Sequence, residues 1–205
     1  MYRKFGKRLL DIIISTLGLI IFIIIFIPVS IAIYLEDKGP IFYNAPRLGR
    51  DGKVFKMYKF RSMKVNAPDL RKADGSTYNG EDDPRLTNVG KFIRKTSLDE
   101  TPQVLNVLIG NMSIIGPRPD LPEHIEKYVG DELRKLEVLP GITGYSQAYY
   151  RNSIEWKERI KHDIYYINNL SLVMDVKIFI KTIMTVLKKE GVYINAESSN
   201  ETTVK

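Results

Sequence analysis

The sequence predicts a mainly helical α+β protein fixed to a membrane at its N-terminus. Three observations carry that reading. Residues 12–35 pass without a charge, yet mean hydropathy over the chain is −0.16, so the remainder is distinctly hydrophilic. Two extended apolar stretches flank Arg50-Asp51-Gly52-Lys53, and Asp-Gly is a strong hairpin signal. After residue 85, capping signals and apolar residues at helical spacing recur to about residue 189. The expected organisation is a membrane segment with its basic flank over residues 1–38. A compact domain over 39–194 and a polar, disordered tail over 195–205 follow.

Composition removes several classes of function. The 205 residues suffice for one domain with an appendage and a core that needs no staples. There is no Cys, which excludes disulfides, thiolate metal sites and a cysteine nucleophile. The two histidines, His124 and His162, argue against a multi-histidine zinc centre. Lys+Arg 31 against Asp+Glu 24 gives +7, which favours acidic partners: nucleic acid, phosphorylated metabolites or anionic lipid.

Taking the elements in order, residues 12–35 make a helix of roughly 36 Å, longer than a hydrocarbon core of ~30 Å. The run is too long for a signal-peptide core and lacks a small-residue cleavage site, so it is expected to be retained. A single straight span is the simplest topology. Against it stand Pro28, which removes a backbone donor and favours a kink or break, and basic residues on both flanks. Arg3, Lys4, Lys7 and Arg8 precede the run, and Lys38, Arg47, Arg50, Lys53, Lys56, Lys59, Arg61 and Lys64 follow it. The positive-inside rule places both flanks in the cytoplasm, which a helix that enters and returns satisfies. These residues alone leave the two topologies balanced.

Residues 40–63 read as extended structure and 65–84 as a long polar, mobile loop. A helix is expected over 89–95. Ser97-Leu98-Asp99-Glu100 has capping-box spacing and opens another through about Ile109, closed by Gly110. Gly116-Pro117-Arg118-Pro119 is stiff and extended, 121–136 a charged helix, and 140–144 a turn. Ser153 caps a helix to about Asn168. Residues 172–189 are amphipathic, with Leu172, Val176, Phe179, Ile180, Ile183 and Leu187 on one stripe and lysines elsewhere. Such a stripe packs on a core or, beside a membrane segment, lies in the headgroup layer.

Among candidate functional residues, Asp99-Glu100 are first-turn acids that complement a helix dipole, or a hard-metal and nucleophile site. Arg118, held between two prolines, is either a stiff surface residue or a phosphate fork. Lys59, Arg94 and Arg151 are unremarkable taken singly, and Asp163 is a weak signal. Asp175 stands within an apolar stretch and, if buried, needs a cation or metal partner.

Taken together, four strings resemble a known family: Lys59-Phe60-Arg61-Ser62-Met63; Thr96-Ser97-Leu98-Asp99-Glu100-Thr101-Pro102-Gln103-Val104-Leu105-Asn106-Val107-Leu108; Gly110-Asn111-Met112-Ser113-Ile114-Ile115-Gly116-Pro117-Arg118-Pro119; and Pro140-Gly141-Ile142-Thr143-Gly144. In that order they resemble the bacterial sugar transferases, the monotopic polyprenyl-phosphate phosphoglycosyl transferases. The likeness runs from Lys7-Arg8-Leu9-Leu10-Asp11 to about Tyr193 and suits the small single-domain members.

The resemblance implies transfer of a phosphosugar from a UDP-sugar to polyprenol (undecaprenyl) phosphate, with release of UMP. Such a reaction starts capsule, exopolysaccharide or glycan assembly at the cytoplasmic face of the bacterial inner membrane. It implies Asp99 as nucleophile, Glu100 beside it, and Mg²⁺ as cofactor held by both. It implies substrate-binding roles for Lys59, Arg94, Arg118, Arg151, Asp163 and Asp175. It also implies a re-entrant, monotopic N-terminal helix broken at proline, with amphipathic interfacial helices on the catalytic domain.

Some positions depart from the family pattern. Ile27 precedes Pro28 where Ser is frequent, and Pro28 stands about one turn further from Asp11 than expected. Thr101 follows the dyad where Leu is common, and Leu139 stands where a basic residue is common. None touches the dyad. A membrane-tethered nucleic-acid binder would share the positive charge, but the basic residues are dispersed and carry no nucleic-acid motif, so no nucleic-acid partner is expected. A purely structural scaffold would not require Asp99 and Arg118 together. The motifs carry no signal for the sugar, the polyprenol length or the oligomeric state.

Overall fold

The computed structural model describes residues 2–70, 80, 83–151 and 153–188. The expected tail over 195–205, much of the loop over 65–84 and the end of the 39–194 domain lie outside the described residues. A π-helical turn, Tyr2–Gly6, leads into helix α1, Lys7–Glu36. At 30 residues α1 is about 45 Å long, and together with the turn it is long and apolar enough to cross a membrane. Pro28 lies inside it and does not end it, so the helix expected to be broken at proline is continuous through it. The missing donor removes one backbone bond, while Val29 and Ile33 beyond it and Phe22 before it pack in one cluster with Phe60 and Ile93.

One face of α1 is buried: Lys7, Asp11, Ser15, Phe22, Val29 and Ile33 follow in steps of four and seven. The opposite face exposes Leu9, Ile13, Leu17, Ile20, Ile24, Ile27, Ile31 and Leu35. Both ends are fastened to the same domain. Arg8 donates to the carbonyls of Val107 (2.6 Å) and Leu108 (2.9 Å). The Glu36 carboxylate accepts from the amides of Asn88 (2.6 Å) and Val89 (2.7 Å), and Asp37 pairs with Arg61 at 2.7 Å.

Strands β1, Phe42–Leu48, and β2, Val54–Phe60, form the expected antiparallel hairpin, with Phe42 opposite Phe60 and Leu48 opposite Val54. The turn between them needs left-handed backbone at Asp51 (φ 59°) and Gly52 (φ 73°), which Asp and Gly tolerate. Phe60 stacks on Phe42 and Phe26, joining the hairpin to α1.

Helix α2, Asn88–Lys95, matches its expectation and is capped by Thr87, whose hydroxyl accepts from Gly90 N–H. The single helix expected from Ser97 is instead a 3₁₀ turn, Leu98–Glu100, followed by α3, Gln103–Leu108. Ser97 is left-handed (φ 58°) and makes no side-chain cap; its amide bonds to Arg94 C=O and closes α2. Pro102, which brings no N–H to continue the turn, stands at the N-cap of α3. Gly110 (φ 89°) closes α3 as expected.

The charged helix expected over 121–136 is two 3₁₀ segments, Pro122–Lys127 and Gly130–Glu137, separated by extended Tyr128 and Val129, with a left-handed Gly130 opening the second. The expected turn at 140–144 contains a strand, β4, Gly141–Thr143, parallel to β3, Ser113–Ile115. A Cβ on Gly141 would stand 2.1 Å from Gly116 N, so the approach demands glycine. Helix α4, Tyr145–Tyr149, was not foreseen, and α5, Trp156–Asn168, is not capped by Ser153. The Ser153 hydroxyl donates to Tyr150 C=O and finishes the preceding turn.

The last helix, α6, Leu172–Leu187, starts at Ser171, whose hydroxyl caps Met174 N–H. Its core contribution is narrow: Ile178 is fully buried in a cluster with Met57, Val107, Met112, Ile114, Tyr166 and Ile167. The apolar stripe seen in the sequence points outward. Leu172, Val176, Phe179, Ile180 and Ile183 are all exposed. The result is a mainly helical domain with two small sheets, one long apolar N-terminal helix and two apolar outer faces.

Candidate active site

Two backbone features bring the acidic pair to the basic strand. The left-handed Ser97 reverses the chain at the end of α2, and the 3₁₀ turn then carries Asp99 and Glu100 back over β2. Lys59 from β2 meets both: its Nζ is 2.9 Å from Asp99 Oδ2 and 3.1 Å from Glu100 Oε1. Arg118 Nη2, from the extended Gly116–Pro119 run after β3, lies 3.8 Å from Glu100 Oε1. Exposure is graded across the cluster. The Asp99 side chain is 6% exposed, Lys59 19%, Glu100 25% and Arg118 40%. The dyad is therefore approachable from the side that Glu100 and Arg118 face.

The charges tune one another. Burial pushes the Asp99 carboxyl above the ordinary carboxylate range; Lys59 opposes this and the neighbouring Glu100 charge adds to it. Burial acts the same way on Glu100, but Lys59 and Arg118 outweigh it and hold that carboxyl below its usual value. Lys59 is desolvated too, yet the two carboxylates overcome the loss and keep its ammonium protonated beyond the usual range.

Arg94 joins this field from α2. Its Nε donates to Ser62 Oγ at 3.0 Å, and its charge acts on both carboxylates. Arg47, read in the sequence only as part of a basic flank, lies close enough to Arg118 for the two guanidiniums to repel. Its Nη1 donates to Pro46 C=O at 2.8 Å. No local sequence signal singles it out, because its neighbour Arg118 is remote in the chain.

The other acids lie in two separate networks. Asp163 on α5 pairs with Lys135 at 3.0 Å and accepts from Ser146 Oγ at 2.9 Å; Asp120 takes the same Lys135 at 2.6 Å. Asp175 on α6 holds Lys7 at 2.7 Å and accepts from Tyr2 (2.5 Å) and Tyr166 (2.8 Å). The expected cation partner of Asp175 is thus a lysine from the N-terminal helix. Arg151, left-handed at φ 49°, donates to Thr185 C=O on α6.

Among the described residues no cluster of three or more His, Asp or Glu is gathered for a metal. The dyad itself suits Mg²⁺, which takes one or two carboxylates and completes its shell with water and substrate phosphate. A desolvated carboxylate next to an ionised one, under three cationic side chains, can bind a phosphate diester and attack its phosphorus.

A family model for bacterial sugar transferases matches residues 2–189. The galactosyl transferase CpsE of Streptococcus agalactiae is 43% identical over 91% of this chain and 43% of its own. The undecaprenyl-phosphate galactose phosphotransferase of Salmonella typhimurium is 40% identical over 93% of this chain and 42% of its own. The exopolysaccharide production protein ExoY of Sinorhizobium fredii is 38% identical, with 92% of this chain and 88% of that one aligned. The chain thus spans less than half the length of the first two and nearly all of the third. With the match running from the N-terminal helix through α6 and enclosing the whole Lys59–Asp99–Glu100–Arg118 cluster, the chain belongs to the bacterial sugar transferase family.

Proposed function

We propose that the protein moves a phosphosugar from a UDP-sugar onto polyprenol phosphate, releasing UMP. The observation that carries this reading is the Asp99-Glu100 pair gathered under Lys59 and Arg118. Asp99 attacks the phosphorus that bears the sugar. An Asp–phosphorus ester bond forms as the bond from that phosphorus to the bridging oxygen breaks, and the electron pair leaves on UMP. An oxygen of polyprenol phosphate then attacks the same phosphorus and frees Asp99. The bond between sugar and phosphate is never broken.

The family resemblance favours Asp99 over Glu100 as nucleophile, and burial pushes the Asp99 carboxyl above the ordinary carboxylate range. Glu100, held ionised by Lys59 and Arg118, suits support. Asp99 and Glu100 would hold Mg²⁺, which when bound supplies charge neutralisation for the diphosphate. Lys59, Arg118, Arg94 and Arg47 orient the anionic groups and offset the charge that gathers at phosphorus.

The same reading places the domain at the cytoplasmic face of a bacterial inner membrane, with both ends of α1 on that side. Two observations support it: both ends of α1 are bonded to the same domain, and both of its flanks are basic. The outward apolar face of α6 suits contact with the same surface. The names borne by the relatives point to undecaprenyl phosphate as acceptor and to polysaccharide assembly as the setting.

The decisive experiment is a UMP-release screen over UDP-sugars, with and without undecaprenyl phosphate. A stoichiometric burst of UMP without lipid, and an intact-mass phosphosugar adduct absent from Asp99→Asn, is the expected result. Strictly sequential kinetics with no adduct would replace the aspartyl ester by direct displacement. No UMP from any donor would remove the activity itself.

A further inference from the structure

We propose that Asn106 is a positioning residue that holds Lys59, the Asp99-Glu100 turn and the Arg118 segment in one register. Asn106 lies on α3, directly after the turn that carries the dyad, and is fully buried. Its Oδ1 accepts from Tyr58 N–H at 2.8 Å and its Nδ2 donates to Lys56 C=O at 2.8 Å. Among the described residues strand β2 is paired only with β1, and the Asn106 amide meets it as the backbone of a third strand would. The bonded backbone runs straight into Lys59. The Asn106 carbonyl also accepts from Asn111 N–H (2.9 Å) and Met112 N–H (3.1 Å), where the chain enters β3 and then reaches Arg118.

One residue therefore joins the three segments that supply the site. Asparagine is the side chain that offers a donor and an acceptor in one plane at this reach. A residue needed only to fill the interior would be apolar, as adjacent Val107 is. Burying an amide costs free energy unless its bonds are made, and Asn is a middling helix former. Its chemistry is used here for its bonds.

The effect on the reaction passes through Lys59. The groups facing the dyad are Lys59 from β2, Arg118 from the Gly116–Pro119 run and Arg94 from α2. Letting β2 slide against α3 lengthens the 2.9 Å and 3.1 Å contacts of Lys59 first. A misplacement near 1 Å can lower a rate on the order of 100-fold. The inference rests on the dyad being the reaction centre, as proposed above.

Asn106→Ala and the milder Asn106→Ser test it. Each is expected to lower single-turnover UMP release on the order of 100-fold, with the UDP-sugar KM altered less than ~3-fold. Ile178→Val, a core change on α6, should lower the melting temperature and leave single-turnover UMP release at the parent's rate. Variants that only melt earlier, with the parent's turnover, would reduce Asn106 to a structural residue and overturn the proposal. If Asn106→Ala does not fold, Asn106→Ser decides. One readout needs no substrate, and so separates this inference from the proposed activity. The Tyr58 amide should be protected from hydrogen exchange in the parent and lose that protection in both variants. Rapid Tyr58 exchange in the parent would overturn the placement whatever the parent's activity.

Discussion

Replacing Lys59 with methionine keeps the aliphatic stem on β2 and removes the one ammonium that both carboxylates share. In the parent its Nζ stands 2.9 Å from Asp99 and 3.1 Å from Glu100, with all three side chains at least three-quarters buried. Removing one partner of a buried pair costs about 3–5 kcal/mol if the other charge must stay. The dyad has a less costly response, which is to take up a proton. At about 1.36 kcal/mol per pKa unit, that energy corresponds to a rise of roughly 2–4 units in the dyad's first protonation. Arg118 and Arg94 remain in place, so the lower end is the better figure.

The sign follows from the form that Lys59 favours. Its positive charge stabilises the ionised carboxylates, so its loss raises their pKa, and the acid limb of activity climbs. Single-turnover UMP release measured across pH is the assay. In Lys59→Met the midpoint of the acid limb should rise by about 2 units, with activity partly recovered on the alkaline side. A midpoint identical to the parent's would show that Lys59 does not set the ionisation of Asp99.

Further outcomes follow from other parts of the molecule. Excess EDTA should abolish turnover, with Mg²⁺ restoring it fully and Mn²⁺ in part, because the available ligands are oxygens; full activity in EDTA would remove the metal. Arg118→Lys keeps the charge and loses the fork, so kcat/KM for the UDP-sugar should fall by about 1–3 kcal/mol in transition-state binding; unchanged kinetics would leave Arg118 a stiffener of its loop. Asp175→Asn strands the buried Lys7 ammonium and should destabilise the fold by about 3–5 kcal/mol in thermal unfolding. Below the transition its KM should match the parent's, and a raised KM would return Asp175 to substrate binding. A cysteine placed at Tyr2 in this cysteine-free chain should label only from the cytoplasmic side, and periplasmic labelling would refute the placement of both ends of α1 on that side.

The parts of the fold legible in the sequence are those decided within a few residues. Asp51-Gly52 has one economical backbone solution, and the hairpin follows from it. Residues 12–35 are uncharged and almost wholly apolar, and the run is helical throughout. What misled were signals whose partner is distant. Ser97 has the spacing of a capping box, but the sequence does not show that α2 needs a left-handed residue to stop, and that need won. The string Pro140-Gly141-Ile142-Thr143-Gly144 reads as a turn until Gly116 lies beside it and the glycines are seen to permit a parallel strand pair. Local propensity over 121–136 suits a helix, yet Gly130 and the burial of Tyr128, bonded to Asp120, break it in two.

The site divides along the same line. Asp99-Glu100 and Pro117-Arg118-Pro119 are compact strings, and a resemblance can point to them. Their meeting is a product of topology: β2 supplies Lys59, the turn after α2 supplies the acids, and the run after β3 supplies Arg118. The same resemblance also points to Asp163 and Asp175, which lie in networks apart from the dyad. Asp175 clasps the first residues of the chain to α5 and α6, and Asp163 braces Lys135 and Asp120 near the stiff run that carries Arg118. A residue can recur in a family because it fastens the membrane helix to the domain, or because it touches the substrate, and its identity is the same in either case. Geometry bears on the choice, since a binding residue must face the open side of the dyad, whereas the buried Asp175 carboxylate accepts from a lysine and two tyrosines of its own chain.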